Sequence, residues 1–278
     1  MAASAAISLT GADGRTVRLA APATRIVSLA PDLTELVYDV GAGTDMAGAG
    51  TYSNYPAAAQ KLPRIGNASG FDLERIVALR PDLILAWRGG TPVTLIERLR
   101  ALHLPVLVIG TRELPDIAAN LELIGRATGH AAEAHAAAQA FLTGLEKLRG
   151  QYAGRKPVRV FYEISATPLY TVGGKQVISR LIQLCGGRNI FEEMTALAAS
   201  VSLGTVIARD PQAIVTGDDP GAAARLKEWQ RWPQISAVKT GSLFNIPGDL
   251  LARATPRILE GGKELCTDLR ATGRAVNK

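Results

Sequence analysis

The 278-residue sequence has few of the residues that build metal cages and catalytic centres. It contains three histidines, two cysteines and only 5% aromatic residues. It lacks a Gly-x-Ser-x-Gly nucleophile elbow, a His-Glu-x-x-His motif, a Walker A loop and a Gly-x-Gly-x-x-Gly run after the first predicted strand. So few histidines do not favour a transition-metal site built from several imidazoles. The sequence therefore predicts no catalytic residue, no metal ligand and no enzyme.

Long hydrophobic runs and one-sided charge are also missing. No stretch of 18 apolar residues occurs, so no membrane-spanning helix is predicted. Residues 1–6 lack the basic start and apolar stretch of an intact signal peptide and fit the remnant of a removed one behind a start methionine. The net charge is +6, but basic residues alternate with acidic ones and form no stripe with aromatics. Nucleic-acid binding is therefore not expected.

What the chain does have is an internal repeat with an offset of 130 residues. Each copy has an N-capping Asp or Ser, a short helix with one apolar face, a proline that ends the helix, and an apolar strand. The pattern predicts two α/β lobes of like design, which commonly hold a ligand between them. Chance recurrence of a short helix-Pro-strand unit is the alternative. The matched sets are Asp72, Leu73, Ile76, Val77, Ala78, Pro81, Ile84 and Ser202, Leu203, Val206, Ile207, Ala208, Pro211, Ile214.

Both halves also open in the same way, with a strand, then a helix, then glycine. Strands alternating with helices predict a largely parallel sheet in each lobe, with the loops at the carboxyl ends of the strands lining the ligand crevice. The predicted strands are Arg25–Leu29, Leu83–Ala86, Val106–Ile109, Arg159–Tyr162, Ala213–Val215 and Ser242–Ile246, and the opening helices are Leu33–Tyr38 and Val177–Leu184.

An alanine-rich stretch separates the halves. From Ala131 to about Tyr152 it has no proline and only two glycines, which predicts a helix about 33 Å long that crosses from one lobe to the other. His130 and His135 are placed on this helix, five residues apart and on different faces. We expect an N-terminal lobe over 24–128, a linking helix over 129–153 and a C-terminal lobe over 154–278. A surface helix of a single domain is the alternative.

The two cysteines, Cys185 and Cys266, both lie in the second half in apolar surroundings. A bond between them would close a loop of about 80 residues, worth about 4 to 5 kcal/mol in the chain-entropy model, and would imply an oxidising compartment. Two separate buried thiols fit the sequence equally well.

Several aromatic residues lie just beyond predicted strands or in loops, namely Tyr52, Tyr55, Phe71, Trp87 and Tyr170. Rings in such places can stack on a flat or bulky ligand, although any one of them can equally be a packing residue. As a set they favour a large, partly apolar ligand over a bare ion. Trp229 and Trp232, three residues apart on a predicted helix, are assigned to the core.

Over about residues 24–270 the chain resembles the periplasmic cobalamin-binding proteins of ABC importers, part of a wider family of helix-linked binding proteins that includes haem and ferric-siderophore carriers. The resemblance is carried by Ala30-Pro31-Asp32-Leu33-Thr34-Glu35, Tyr52-Ser53-Asn54-Tyr55-Pro56, Leu73 to Leu83, Ala86-Trp87-Arg88-Gly89-Gly90, Cys185-Gly186-Gly187 and Ala254-Thr255-Pro256-Arg257-Ile258.

The resemblance implies two Rossmann-like lobes joined by one long helix, with the ligand cleft between them, in a monomeric periplasmic carrier that needs no cofactor. By position, Tyr52 and Trp87 would contact the corrinoid from the N-terminal lobe, and Tyr170, Asp249 and Arg253 from the C-terminal lobe. The resemblance also implies a disulfide between Cys185 and Cys266, which ties the C-terminal helix to the first helix of its lobe.

The implied partners are an ABC transporter permease and its ATPase. Docking in this family uses one acidic residue on each lobe against arginines of the permease. Glu74 matches the first acid, whereas Gly204 occupies the second position, so Glu192 or Glu193 would have to substitute. Solvated helix acids are the alternative for these positions.

The sequence departs from the cobalamin-binding pattern at Ala68 and Ala198, where tryptophans are common. A wider pocket suits a bulkier corrinoid, a precursor such as cobinamide, or another large chelate. Haem is disfavoured, because haem carriers of the family often ligate iron through a tyrosine where this chain has Gly66 to Ser69. A haem or siderophore carrier, a two-lobed α/β enzyme and a corrinoid-handling subunit without transport are the alternatives.

Overall fold

A computed structural model describes residues 6–152, 157–217 and 220–275, with side chains up to residue 272. The chain divides into two compact units. The first unit runs to Thr111 and resumes over Pro115–Leu142, and the second consists of Arg112–Leu114 and the chain from Thr143 onward. Most of the predicted signal-peptide remnant, residues 1–5, and the predicted lobe boundary at 153/154 lie outside the described residues. The three predicted lobe ranges stay predictions.

The described residues form eleven α-helices and fifteen strands. The helices are α1 Pro31–Asp39, α2 Leu73–Ala78, α3 Val93–Ala101, α4 Asp116–Thr128, α5 Ala131–Tyr152, α6 Val177–Leu184, α7 Leu203–Arg209, α8 Ala222–Trp229, α9 Ser236–Lys239, α10 Gly248–Ala252 and α11 Ile258–Ala275. The strands are β1 Ile7–Thr10, β2 Thr16–Leu19, β3 Ile26–Ser28, β4 Met46–Ala49, β5 Gly66–Asn67, β6 Gly70–Phe71, β7 Leu83–Trp87, β8 Val106–Ile109, β9 Val158–Glu163, β10 Ser165–Ala166, β11 Leu169–Val172, β12 Gly187–Asn189, β13 Ala198–Ser200, β14 Ala213–Thr216 and β15 Leu243–Asn245.

The first unit is built on a four-stranded parallel sheet in the order β4-β3-β7-β8. Every residue of β3 and β8 is buried, as expected for parallel strands covered on both faces. An antiparallel hairpin, β1 with β2, joins this unit through a hydrogen bond from the Ala12 amide to the Val108 carbonyl, 2.7 Å long. The sequence analysis did not anticipate this hairpin, whose strands are only four residues long.

The second unit repeats this design with a parallel sheet in the order β12-β9-β14-β15. The rings of Phe161, Phe191 and Trp229 pack edge to face at the centre of its core. A second, antiparallel sheet in the order β10-β11-β13 carries Tyr170. The predicted fold class of two α/β lobes with parallel sheets is confirmed.

The two copies of the internal repeat make matching side-chain contacts. Asp72 caps α2 by accepting a 2.9 Å hydrogen bond from the Arg75 amide, and Ser202 caps α7 by accepting one of 3.0 Å from the Thr205 amide. Each helix ends just before its proline, and the strand that follows is buried in its sheet. The prediction from the 130-residue offset is therefore confirmed.

An arginine clamp extends the repeat beyond the predicted residues. The Arg25 guanidinium donates to the carbonyls of Leu79 and Arg80, at 2.7 and 3.3 Å, at the end of α2. Arg159 does the same at the end of α7, donating to the Asp210 carbonyl at 2.8 Å and to its carboxylate at 2.9 Å. Arg80 and Asp210 also share a left-handed backbone, with φ of 48° and 45°. Each clamp therefore joins the carbonyls at a helix end to the start of the first strand of its unit's parallel sheet, β3 or β9.

The alanine-rich helix α5 has the predicted bounds, and its residues up to Leu142 belong to the first unit while those from Thr143 belong to the second. The placement of His130 on this helix was wrong. Its carbonyl accepts from the Ala134 amide at 3.0 Å, so His130 lies just before the first helical residue. His135 is on the helix and lies 2.8 Å from the Glu122 carboxylate.

Trp229 and Trp232 differ from the prediction in one respect. Trp229 is buried at the end of α8 as expected, but Trp232 lies in the turn that follows and is only half-buried against the core. The helix ends at Trp229 because the chain turns at once towards Pro233, which cannot continue a helix.

The predicted disulfide is confirmed. Cys185, at the end of α6, is bonded to Cys266 in α11, and both residues are buried. The bond ties α11 to α6, the first helix that lies wholly within the second unit. Within the described part of the chain, no helix combines the length and apolar character needed to cross a bilayer.

Candidate functional site

Three of the predicted ligand residues, Tyr52, Trp87 and Asp249, lie at or just beyond the carboxyl ends of parallel strands, each within its own unit. Trp87 is the last residue of β7, and Tyr52 follows β4 by three residues. Strands β4 and β7 flank β3, so both aromatic residues belong to the same edge of the first sheet. In the second unit Asp249 comes shortly after β15. This edge is where open parallel sheets bind their ligands.

Trp87 is held in place by the glycines that follow it. The chain turns back at Thr91, whose hydroxyl accepts from the Trp87 amide at 2.9 Å. Gly89 has φ of +98°, which favours glycine. Gly90 lies directly against the indole ring, and a Cβ there would overlap ring atoms Cε3 and Cζ3 and lie 2.8 Å from Cδ2. The Trp-Arg-Gly-Gly run is therefore needed to fold the turn and to seat the half-buried ring.

Tyr52 lies on a loop that is closely tied to the sheet although its side chain is 64% exposed. The Gly50 amide donates to the Ser28 carbonyl at 3.0 Å, and the Thr51 amide donates to the Gly66 carbonyl at 2.8 Å. A large ring is thus presented to solvent from a fixed backbone. Contact between this ring and a ligand stays a prediction.

Tyr170 occupies the middle strand of the antiparallel sheet in the second unit. It lies opposite Ser165 on β10 and Ser200 on β13, and its ring is 37% exposed. Both cross-strand neighbours of the ring therefore have small side chains. Its neighbours in sequence, Thr171 and Val172, are buried.

Asp249 and Arg253 form an ion pair one turn apart on α10, with 2.7 Å between Oδ2 and a guanidinium nitrogen. The Asp249 side chain is 46% exposed and that of Arg253 only 9%. A ligand therefore reaches the carboxylate of Asp249 more readily than the guanidinium. Both residues stay predicted contacts.

The two alanines that depart from the cobalamin-binding pattern are exposed. Ala68 lies in the turn between β5 and β6, and Ala198 begins β13, opposite Val172. Neither unit has a ring at these positions, so each leaves space where a tryptophan side chain would stand.

The predicted docking residues differ in how their charges are paired. Glu74, in the first turn of α2, is exposed, and no ion pair joins it to another described residue. Glu192 pairs with Arg188 at 2.7 Å, and Glu193 pairs with Arg209 at 2.5 Å. Burial raises the pKa of Glu193, but hydrogen bonds from its own amide and from Arg209, with the charges of Arg209 and Arg188, outweigh it and lower the pKa. Both acids of the second unit are thus already paired with arginines.

Two polar groups escaped the sequence analysis. Glu163, at the end of β9, is buried, accepts a 2.5 Å hydrogen bond from the Trp229 indole and lies 3.3 Å from the Arg225 guanidinium. In the sequence, Glu163 stood out only as a charged residue directly after the apolar strand predicted over Arg159–Tyr162. A buried hydroxyl cluster of Ser28, Thr34 and Ser53 likewise showed no pattern, because its members come from three separate elements.

The described residues contain no group of three His, Cys, Asp or Glu side chains arranged to hold a metal ion. The predicted ligand residues themselves offer the aromatic rings of Tyr52, Trp87 and Tyr170 and the partly exposed carboxylate of Asp249. Such a set can bind a large organic ligand through stacking and hydrogen bonds.

Comparison with known proteins places the chain in a family. Residues 26–250 match the model of a family described as periplasmic binding protein. The vitamin B12-binding protein of Vibrio cholerae serotype O1 is 36% identical over 250 residues, which cover 90% of each chain. The vitamin B12-binding protein of Yersinia pestis is 35% identical over 248 residues, 89% of this chain and 86% of the relative.

Solved structures agree. The crystal structure of the periplasmic vitamin B12 binding protein BtuF of Vibrio cholerae superposes with a TM-score of 0.86 at 35% identity and covers 90% of this chain and 98% of that one. The periplasmic heme-binding protein RhuT of Roseiflexus sp. RS-1 gives a TM-score of 0.80 at 19% identity, with 90% and 98% covered, and supports the fold alone. The resemblance seen in the sequence is confirmed, and the chain belongs to the periplasmic binding protein family.

Proposed function

We propose that this protein captures cobalamin or a related corrinoid in the periplasm and delivers it to an ABC transporter permease. The observation that carries the proposal is the exposure of Tyr52 and Tyr170, with Trp87 seated at a sheet edge, in a chain 36% identical to a vitamin B12-binding protein. No covalent bond is made or broken in this function.

The chemistry of these residues suits a corrinoid. The macrocycle has broad apolar faces, on which rings such as Tyr52, Trp87 and Tyr170 can pack. Its rim carries amide side chains, whose N–H groups are donors for the Asp249 carboxylate, while their carbonyls accept from Arg253. Stacking therefore supplies most of the affinity, and the ion pair on α10 adds orientation.

Isothermal titration tests the proposal. Cyanocobalamin and cobinamide are titrated separately into the wild-type protein, into Trp87→Ala, and into Val93→Ala as a control for an exposed apolar residue outside the predicted site. We expect one site per chain, weaker binding in Trp87→Ala and unchanged binding in the control. Titrations that show no heat of binding with either ligand would contradict the proposal. Binding of haem or a ferric siderophore instead would favour the alternative that the protein is a haem or siderophore carrier.

The missing rings at Ala68 and Ala198 bear on which corrinoid is preferred. Each absent tryptophan removes apolar contact worth about 1 to 3 kcal/mol by area and leaves room for a larger rim. We therefore expect Ala68→Trp to tighten binding of cobinamide, which lacks the nucleotide tail, and to discriminate against bulkier corrinoids. Equal affinities of the variant and the wild type for all corrinoids would argue that Ala68 does not face the ligand.

Docking to the permease is proposed to depend on Glu74. Its charge is exposed, whereas those of Glu192 and Glu193 are matched by neighbouring arginines. Nothing at Gly204 requires glycine, because a Cβ there would meet no atom closer than 3.9 Å, that of the Ser202 hydroxyl. In transport assays with the reconstituted permease and ATPase, we expect Glu74→Gln to reduce uptake and Gly204→Glu to be tolerated.

The acids of the second unit give the complementary test. Glu192→Gln and Glu193→Gln should each reduce uptake only if these acids replace the one missing at Gly204. Unchanged uptake in both variants would leave Glu74 as the main electrostatic contact. Corrinoid affinity, measured beside uptake, separates docking from ligand capture.

The disulfide supports the proposed compartment, because disulfides persist in oxidising surroundings such as the bacterial periplasm. Protein recovered from the periplasm and denatured without reductant should react with no equivalents of a thiol reagent. Two titratable thiols in that material would contradict a periplasmic disulfide.

A further inference from the structure

A cluster of three buried hydroxyls lies beneath the loop that carries Tyr52. Ser28 ends β3, Thr34 lies in the first turn of α1, and Ser53 follows β4; all three are 0% exposed. Thr34 Oγ1 is in hydrogen-bond contact with Ser28 Oγ, lies 2.8 Å from Ser53 Oγ and 3.3 Å from the Ala30 carbonyl. The cluster thus joins the central strand, the first helix and the loop of residues 51–55, called here the Tyr52 loop.

One arrangement of protons satisfies the whole cluster. The Ala30 carbonyl can only accept, so Thr34 donates its single proton there. Ser28 and Ser53 then both donate to Thr34 Oγ1, which has two lone pairs. Every hydroxyl proton is used, and no buried donor is left without an acceptor. Thr34 is the shared acceptor, and Ser53 is the member of the cluster that belongs to the Tyr52 loop.

The backbone reinforces the same connection. The Gly50 amide donates to the Ser28 carbonyl at 3.0 Å, and the Ser53 amide donates to the Gly50 carbonyl at 3.1 Å. Ser53 is therefore fixed in the interior while Tyr52 and Tyr55 on either side of it are 64% and 43% exposed. Because a loop that is already ordered does not lose conformational entropy on binding, such anchoring favours affinity.

We propose that Ser28, Thr34 and Ser53 are positioning residues that hold the Tyr52 loop in its ligand-binding conformation. The proposal rests on the proposed function, since it takes the corrinoid as the ligand that meets Tyr52. It adds that the affinity contributed by the Tyr52 ring depends on a hydroxyl cluster that never touches the ligand.

The least disruptive variant is Ser53→Ala. It removes one donor and leaves Ser28, Thr34 and Ala30 fully paired, so no buried group is stranded. We expect cyanocobalamin to bind about fivefold more weakly to Ser53→Ala, the effect of one lost neutral hydrogen bond. Thr34→Ser, which keeps the hydroxyl, should bind as the wild type does.

A double-mutant cycle separates positioning from general support of the fold. In the Tyr52→Ala background the further change Ser53→Ala should alter affinity by less than about twofold, because the ring it positions is gone. Thr128→Ala is the matched control, since it removes a buried hydroxyl of the same unit that bonds the Ile124 carbonyl at 3.0 Å, far along the chain in α4. It should lower stability without changing affinity.

Hydrogen exchange of the ligand-free protein gives an independent readout. The amides of Thr51 and Ser53 should exchange faster in Ser53→Ala than in the wild type, and not faster in Thr128→Ala. An undiminished fivefold loss in the Tyr52→Ala background, or unchanged exchange at both amides, would overturn the positioning role. Failure of the wild type to bind any corrinoid would refute the proposed function alone, because exchange would still report on the loop.

Discussion

The contact between Gly90 and the ring of Trp87 leads to the sharpest test of the site. In Gly90→Ala the new methyl group would overlap Cε3 and Cζ3 of the indole and approach Cδ2 to 2.8 Å. Carbon atoms in ordinary contact are about 3.5 to 4.0 Å apart. The ring must therefore move by more than about 1 Å, or turn to another rotamer.

The expected loss follows from the area that the ring offers. An aromatic side chain buries about 150 to 250 Å² in full, so one face accounts for about 100 Å². At about 25 cal/mol per Å² this corresponds to about 2.5 kcal/mol, or roughly 70-fold in affinity, for removing the ring in Trp87→Ala. A displaced ring keeps part of that contact. Gly90→Ala should therefore bind cyanocobalamin at least about tenfold more weakly than the wild type.

Isothermal titration of the single and double variants provides the assay. Gly90→Ala combined with Trp87→Ala should bind no more weakly than Trp87→Ala alone, because the methyl group then has no ring to displace. Gly150→Ala is the control, since a Cβ at that position in α5 meets nothing within 4 Å. Wild-type affinity in Gly90→Ala, or a full additive loss in the double variant, would refute the reasoning.

Three further predictions concern stability and the second unit. Replacing Cys185 and Cys266 by alanine should lower the free energy of unfolding by up to about 4.5 kcal/mol, because the bond closes a loop with a sequence separation of 81, and should leave corrinoid affinity unchanged. Denaturant unfolding with and without reductant measures the loss of stability. Burial raises the pKa of Asp210, but hydrogen bonds from the amide and hydroxyl of Ser236 and nearby positive charges outweigh burial and lower the pKa overall. The ionised Asp210 therefore stabilises the folded protein above a pH of about 4, and this contribution is lost as the pH falls through the lower pKa of the folded state. Because that side chain is 42% exposed, Asp210→Asn should cost less than about 1 kcal/mol at pH 7, and this cost should shrink as the pH is lowered below about 4. A difference between the thermal denaturation curves that stays constant as the pH is lowered would contradict this. Asp249→Asn and Arg253→Gln should each weaken cobalamin binding about tenfold, and together by less than the product, because the two share an ion pair; strictly multiplicative losses by titration would disprove the coupling.

The periodic parts of the fold were predictable because each rests on local chemistry. Asp72 and Ser202 cap helices, prolines end them, and apolar runs form buried parallel strands, so the repeat alone indicated two like units. The hairpin of β1 and β2 and the sheet holding Tyr170 were missed. Their strands are two to four residues long, too short for periodicity to register.

The candidate site was partly readable for a similar reason. Trp87 directly follows a predicted strand, so its place at a sheet edge could be expected, whereas Tyr52 follows β4, a strand that the sequence analysis did not predict. Two contacts could not be predicted from the sequence. One is the packing of the Trp87 ring against Gly90, and the other is the hydrogen-bonded link from Ser28 to Ser53 through Thr34. Those contacts depend on side-chain packing in three dimensions, which no spacing in the sequence encodes.

The central claim is that exposed rings on two like α/β units bind one corrinoid. A crystal structure of the protein with cyanocobalamin is its most direct test. The account predicts one corrinoid per chain, with its macrocycle against Tyr52 and Trp87 and with Tyr170 on its other side. A corrinoid bound away from all three rings would contradict the account.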